Sequence, residues 1–291
     1  MNILTVLLIS SLLAKKHIVE YVNNNPLSTW TAEENKFSML STQQLRSMFN
    51  QEIVKDLKKD LHSHVEEDPN SPESFDAREE WPNAIHPIRD QKKCGSCWAF
   101  AGTEVLSDRF AVMDHPVGVL SPQDLVSCDM LDHGCNGGSP LLEWTWMALR
   151  GVTTDECIPY VSGNGTVPRC PRKCSDGSVI VRHKAKTFSF LPSLFIQSDL
   201  MRHGPQEFCF MVYEDFMSYK KGVYQHQTGE LLGGHAVKSV GWGVEGGVKY
   251  WLLANSWGSD WGEKGFFKIL RGKNECSIES MVYAGVPKVD E

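Results

Sequence analysis

No stretch of this chain carries a dense run of lysine and arginine. Beyond pairs such as Lys58-Lys59 and Lys92-Lys93 the basic residues are scattered, and the formal net charge is −7. Binding to nucleic acid by phosphate neutralisation is therefore disfavoured. An apolar run of about 18 residues, the length that spans a bilayer, is also missing, so no membrane anchor is expected. The longest candidate, Ile3 to Leu13, is too short to span and suits the core of a signal peptide, with Ala14 as the cleavage residue. It lacks a basic residue ahead of it, and Lys15-Lys16 lie on the wrong side; the competing reading is a buried N-terminal helix. There is no second Cys-x-x-Cys and, in the cysteine-bearing part of the chain, no close pair of histidines, which argues against a zinc site, and no thioredoxin-like βαβ pattern, which argues against a redox pair. Neither a metal nor a cofactor is expected. Internal repeats and low-complexity tracts are absent.

What is present is a globular composition: 291 residues, 41% hydrophobic and 22% charged, enough for a large core. Cysteine is plentiful, and its odd count of nine leaves at least one thiol unpaired if the chain enters an oxidising compartment. The cysteines divide the chain. Residues 15–72 have none and few glycines, whereas 73–291 hold all nine, together with every tryptophan but Trp30. The first block contains a helix-like stretch from Thr42 to Leu61, with Leu45, Phe49, Ile53, Leu57 and Leu61 along one stripe. It ends in HSHVEEDPNSPES, an acidic, Pro/Ser-rich segment of the kind proteases reach. Three units follow: a signal over 1–14, a pro-segment over 15–72 and an enzyme body over 73–291. An ordinary N-terminal subdomain is the alternative for the second.

The body opens helical. Cys97 to Met113 lacks proline and places Phe100, Ala101, Val105 and Phe110 for burial. A second helix starts at Ser121, with Pro122 at its first position and Asp124 as the acidic member of a capping box. Glu207–Tyr213, His235–Trp242, Lys249–Ala254 and Gly265–Leu270 read as strands bounded by glycine clusters. Helices followed by strands give an α+β fold with two subdomains.

Cys97 stands in Gln91-Lys-Lys-Cys-Gly-Ser-Cys97-Trp98-Ala-Phe, where it opens the first helix. The partial positive charge and unpaired N–H groups of a helix N-terminus favour thiolate over thiol. His235, in Gly-Gly-His-Ala-Val, follows within the roughly 130–150 residues expected of such a signature, and Asn255, in Leu-Ala-Asn-Ser-Trp-Gly, lies slightly beyond. Singly, each has a bland reading as a satisfied core histidine or a turn asparagine; together and in this order they do not.

At this point the body resembles the papain family of cysteine peptidases, its cathepsin B branch in particular. The resemblance lies in SFDARE (74–79), CGSCWAF (94–100), SDR (107–109), CNGG (135–138), GVYQH (222–226), GGHA (233–236), NSWG (255–258), DWG (260–262) and GFFKILRG (265–272), and in Thr29-Trp30-x-Ala32-x-x-Asn35 of the leader. It implies a papain-like fold with a helical left domain, a β-barrel-like right domain and the cleft between them. It implies a zymogen hydrolysing peptide bonds in proteins and peptides, with Cys97 as nucleophile, His235 as its ion-pair partner, Asn255 orienting the imidazole and Gln91 in the oxyanion hole. The pro-segment would lie in the cleft in reverse and act as inhibitor. Gly137 and Gly138 would border the cleft; Pro140, Cys209, Ala236 and Met281 would line the S2 pocket. Trp257 would shield the Asn–His contact, and Trp261 would form part of the primed wall. The implied disulfides are Cys94–Cys135, Cys128–Cys170 and Cys157–Cys174, leaving Cys209 and Cys276 unpaired. A monomer in the secretory pathway is implied, in a lysosome-like vesicle or outside the cell, with cystatin-like inhibitors as partners.

The chain departs from the branch in four places. Met281 stands where cathepsin B has a glutamate, which points to an apolar P2 preference. The Cys157–Cys170 stretch is short and has no histidine, so the loop that makes cathepsin B a peptidyl-dipeptidase is missing and an endopeptidase is expected. Lys92 replaces a glycine beside Gln91, and one disulfide near the mature N-terminus has no cysteines. Asn164-Gly165-Thr166 is a glycosylation sequon. The competing class is a catalytically silent, protease-like binding protein, which would be expected to lack the nucleophile or the histidine.

Overall fold

The computed structural model describes residues 15–58 and 65–289. The apolar run Ile3 to Leu13, Ala14 and Leu61 lie outside them. One sheet organises the strands β1 (Trp30–Ala32), β2 (Phe75–Asp76), β3 (Ala185–Phe190), β4 (Gln206–Tyr213), β5 (Tyr219–Tyr224), β6 (Leu231–Glu245), β7 (Val248–Ala254), β8 (Phe266–Leu270) and β9 (Val282–Pro287). Their order is β1-β5-β8-β7-β6-β4-β9-β3, with β2 paired to β6. Only β5–β8 is parallel; every other pair is antiparallel. β4 and most of β6 are buried on both faces, which explains their continuous apolar sequence.

Helices cover the other half of the body. Cys97–Val112 is buried along almost its whole length, so it shows no polar face. It packs with the Pro122–Cys128 and Pro140–Leu149 helices around Trp98, Val105, Leu125, Trp144 and Met147. A second core of Phe208, Phe210, Phe216, Trp251, Trp257, Trp261 and Phe267 lies on the sheet side. Ser121 caps its helix as expected, accepting from Asp124 N–H at 3.0 Å. The reciprocal half of the capping box is not formed. The Asp124 carboxylate turns instead to Thr153 N–H and to the Arg182 guanidinium, where a full positive charge outcompetes a cap N–H.

The N-terminal segment is bound to the body through its backbone. β1 adds to β5 with Trp30 opposite Gly222, whose missing side chain admits the strand: a Cβ there would lie 2.5 Å from Thr29 O. The single helix expected from Thr42 to Leu61 is broken in two, Thr42–Arg46 and Gln51–Leu57. The periodicity is right, since Leu45, Phe49, Ile53 and Leu57 are all buried. The break comes at Asn50, which leaves helical geometry to exchange two backbone hydrogen bonds with Gly234, at 3.1 and 2.8 Å. Intermolecular-style pairing to the body replaces the intrahelical bonds those groups would have made.

Candidate active site

Cys97 is fully buried at the first turn of its helix. His235 sits on β6 opposite Phe210 of β4, and Asn255 follows the end of β7. Asn255 Oδ1 lies 2.8 Å from His235 Nε2 and also accepts from Ser256 N–H at 2.8 Å. A carbonyl oxygen only accepts, so Nε2 carries the proton and a neutral ring leaves Nδ1 bare. Nδ1 has no hydrogen-bond partner among the described residues. The backbone N–H of Ala236, the next residue, is directed to the Cys97 sulfur. Trp257 stacks on the imidazole at 4.9 Å and closes it from water. Trp261 packs on Trp257 and Phe216 within the core, its indole N–H donated to Met217 O at 3.2 Å.

Gln91 is clamped at both ends of its amide. Oε1 accepts from the Ser256 hydroxyl at 2.6 Å and Nε2 donates to Cys94 O at 2.9 Å, which leaves the second amide hydrogen free. Lys92 does adopt the left-handed conformation (φ 56°) that the position demands. Its N–H donates to Asp90 Oδ1, and Lys93 N–H to Gly163 O, so the loop is tied on both sides. Tyr160 donates its hydroxyl proton to Gln91 O at 2.8 Å and lies 2.9 Å from Ser96 Oγ. Neither Tyr160 nor Ser256 stood out in the sequence; nothing local marks a residue whose role is to hold a backbone drawn from far along the chain. Three disulfides, Cys94–Cys135, Cys128–Cys170 and Cys157–Cys174, staple this half of the body, and Cys97, Cys209 and Cys276 are free thiols.

The N-terminal segment covers these groups. Phe49 stands edge-on to His235 at 5.7 Å and to Trp257 at 5.9 Å. Asn50 Nδ2 donates to Gly138 O, and a Cβ on Gly137 would lie 2.7 Å from Asn50 Cγ. Ile53, Val54 and Leu57 form one apolar cluster with Cys97, Ala101, Cys209, Met211 and Ala236, with Met281 packed against it. Met281 O also accepts from Cys209 N–H at 2.9 Å. Pro140 is buried at the first turn of its helix, below Gly138 in the chain.

Burial sets the electrostatics. It pushes the Cys97 thiol up to about 11, against the pull of the Ala236 and Trp98 N–H groups. It pulls His235 down to about 4, against the Asn255 hydrogen bond. Both shifts favour a neutral thiol and a neutral imidazole over the ion pair expected from the sequence. Behind the apolar cluster, Glu143 and Glu207 are both fully buried. Burial raises Glu207 to about 8 even though Trp144 donates its indole N–H to it at 2.7 Å, and burial, with the neighbouring Glu207 carboxyl, raises Glu143 well above the usual carboxylate range. Among the described residues no cluster of His, Cys, Asp and Glu could hold a metal ion, and no helix is long and apolar enough to cross a membrane.

A family model described as papain family cysteine protease matches residues 71–286. The chain is 40% identical to cathepsin B-like cysteine proteinase 4 of Caenorhabditis elegans, over 94% of this chain and 92% of that one. It is 47% identical to cathepsin B-like CP2 of Giardia intestinalis, over 74% of each. Its fold superposes on procathepsin B S9 of Trypanosoma congolense with a TM-score of 0.84 and 33% identity, covering 94% of this chain and 98% of that structure.

Proposed function

The chain belongs to the papain family of cysteine proteases, and from that premise we propose that it is the zymogen of a cathepsin B-like endopeptidase with Cys97 as nucleophile. It is a cysteine-type peptidase by family. The observation that carries the residue roles is the state of His235: one ring nitrogen is committed to Asn255, the other is bare, and the adjoining Ala236 N–H reaches the Cys97 sulfur.

With the pro-segment gone, the Cys97 thiol passes its proton to His235 Nδ1 and the sulfur attacks the peptide carbonyl carbon. The tetrahedral oxyanion accepts from the spare amide N–H of Gln91 and from Cys97 N–H; losing one such donor typically costs on the order of 10²–10³ in rate. Imidazolium Nδ1–H then protonates the leaving amine and the C–N bond breaks. Water, deprotonated by the same nitrogen, hydrolyses the thioester and restores the thiol. Asn255 keeps the ring in the tautomer both steps need. The reaction needs no cofactor.

Residues 15–72 are the inhibitory pro-segment in this reading. Phe49 caps the imidazole, Asn50 binds Gly138 and Gly234, and Ile53 packs with Cys209, Ala236 and Met281, the residues assigned with Pro140 to the S2 pocket. An isoleucine against these residues supports an apolar P2 preference. The Cys157–Cys170 segment offers no histidine to bind a substrate C-terminus, which supports endopeptidase action. The remaining assignments are a monomer of the secretory pathway, vesicular or extracellular, open to cystatin-like inhibitors and carrying a glycan on exposed Asn164.

Three measurements test this. An epoxysuccinyl inhibitor labels Cys97 of the matured chain and fails on Cys97→Ala, which also stops cutting itself near Asn70–Ser74; normal maturation of that variant alone assigns the cut to another protease. Leu-Arg and Phe-Arg dipeptide substrates are cleaved with higher kcat/KM than Arg-Arg; equal or better Arg-Arg cleavage rejects the pocket assignment. Stepwise release of C-terminal dipeptides as the main activity rejects the endopeptidase assignment.

A further inference from the structure

From Glu66 to Pro72 the acidic stretch between pro-segment and body is tied to the body. Glu66 N–H donates to Ser193 Oγ at 2.9 Å, and the Trp242 indole donates to Pro72 O at 3.0 Å. Between these anchors Glu67 makes two ion pairs with the body. Its Oε2 lies 2.6 Å from Lys249 Nζ and its Oε1 3.2 Å from Arg271 Nη1.

The sheet itself builds this place. The register of β7 on β8 sets Tyr250 opposite Leu270, and the next pair outward is Lys249 and Arg271, joined by Arg271 N–H to Lys249 O at 3.0 Å. Two cations directly opposite each other on antiparallel strands repel. Arg271 is also only 4% exposed at its side chain, and its Nε has no hydrogen-bond partner among the described residues. The nearest acid of the body, Glu279, is spoken for: its carboxylate accepts from Trp251 Nε1, Gly272 N–H and Asn274 N–H. Gly272, in the left-handed region, leaves the space in which the Glu67 carboxylate sits, since a Cβ there would lie 2.5 Å from Glu67 Oε1. Two facing cations and a glycine-lined recess amount to a carboxylate receptor, far along the sheet from Cys97.

We propose that Lys249, Arg271 and Gly272 form a carboxylate-binding site, apart from the catalytic cleft, that keeps the pro-segment on the body through Glu67 after the linker has been cut. The inference rests on the zymogen reading above. Pro69 and Asn70, just past Glu67, are exposed, so a cut there leaves Glu67 on the departing piece. The severed pro-segment then holds at this site as well as in the cleft and along β5. Cutting and release become separate events, and the second is slowed by an ion pair whose partners differ from those of catalysis.

The test uses the full chain with Cys97→Ala to stop self-cutting and a foreign protease recognition sequence inserted between Asn70 and Ser71. After cutting, the rate at which the severed piece leaves the body is followed by size exclusion. Glu67→Gln is expected to speed release on the order of tenfold, the scale of a charge-assisted pair. Lys249→Gln speeds it too, and the double variant matches Glu67→Gln alone. Unchanged release in Glu67→Gln overturns the proposal, and so does a double variant whose effect is the product of the two singles. Failure of the underlying reading looks different: an uncut chain retaining Cys97 would hydrolyse peptides as fast as the matured one.

Discussion

The proton on His235 illustrates how one residue is set by its neighbours. Asn255 Oδ1 already accepts from Ser256 N–H, which fixes its amide the right way round for Nε2–H. Burial holds His235 at about 4, below the ordinary histidine value near 6.5. The covered state therefore binds fewer protons at this site than an open or unfolded one between pH 6.5 and about 4. Its stability is complete above pH 6.5 and is lost as pH falls through that window. In a Cys97→Ala background, pro-segment release should accelerate on acidification across this range. Adding His235→Gln should flatten the dependence, as measured by release rate against pH.

Lys92 is a second residue-scale case. Its positive φ is strained for a side chain with a Cβ, by roughly 1–2 kcal/mol. The gain from Lys92→Gly is partly offset by the entropy glycine loses on folding. Denaturant unfolding should find Lys92→Gly equal to or slightly more stable than the parent. A β-branched Lys92→Val should lose about 1–2 kcal/mol, with a lower kcat as Gln91 shifts.

At the scale of elements, the Cys97–Val112 helix carries a glycine where helix propensity alone would favour alanine by about 1 kcal/mol. The reason lies on another helix: a Cβ at Gly102 would meet Glu143 Oε1 at 1.9 Å. Gly102→Ala should therefore destabilise by about 1–3 kcal/mol, the cost of overpacking, instead of stabilising. In a Glu143→Ala background the same change should be neutral or favourable, which a double-mutant cycle by chemical denaturation reads directly. The sequence could be read for this helix, for the strands β4, β6, β7 and β8 and for the Ser121 cap, because each rests on local periodicity or a local hydrogen bond, whereas β1, β2, β3, β5 and β9 carry no such local signal. The break at Asn50 could not, because its cause, the backbone of Gly234, comes from far along the chain. The same holds for Asp124, whose carboxylate goes to Arg182.

At the scale of the molecule, the covalent staples all fall in the helical half and the loops around it, while the sheet half relies on its aromatic core. Cys94–Cys135 and Cys128–Cys170 span separations of 41 and 42 residues, and Cys157–Cys174 spans 17. In the chain-entropy model, replacing either long-loop pair by serine should cost about 4 kcal/mol and the short one about 3. Urea unfolding of the three double-serine variants checks the order.

By itself the sequence determined the family, the α+β class and the identity of Cys97, His235, Asn255 and Gln91 as the residues to examine, because each stands in a short motif whose chemistry is legible one residue at a time. Tertiary structure alone decided their state. Phe49 packs edge-on against His235 and Ile53 joins the apolar cluster around Cys97, Tyr160 and Ser256 hold Gln91, and β7 and β8 bring Lys249 and Arg271 face to face around Glu67. Protonation, desolvation and ion pairing depend on distance in space, and a sequence records only distance along the chain.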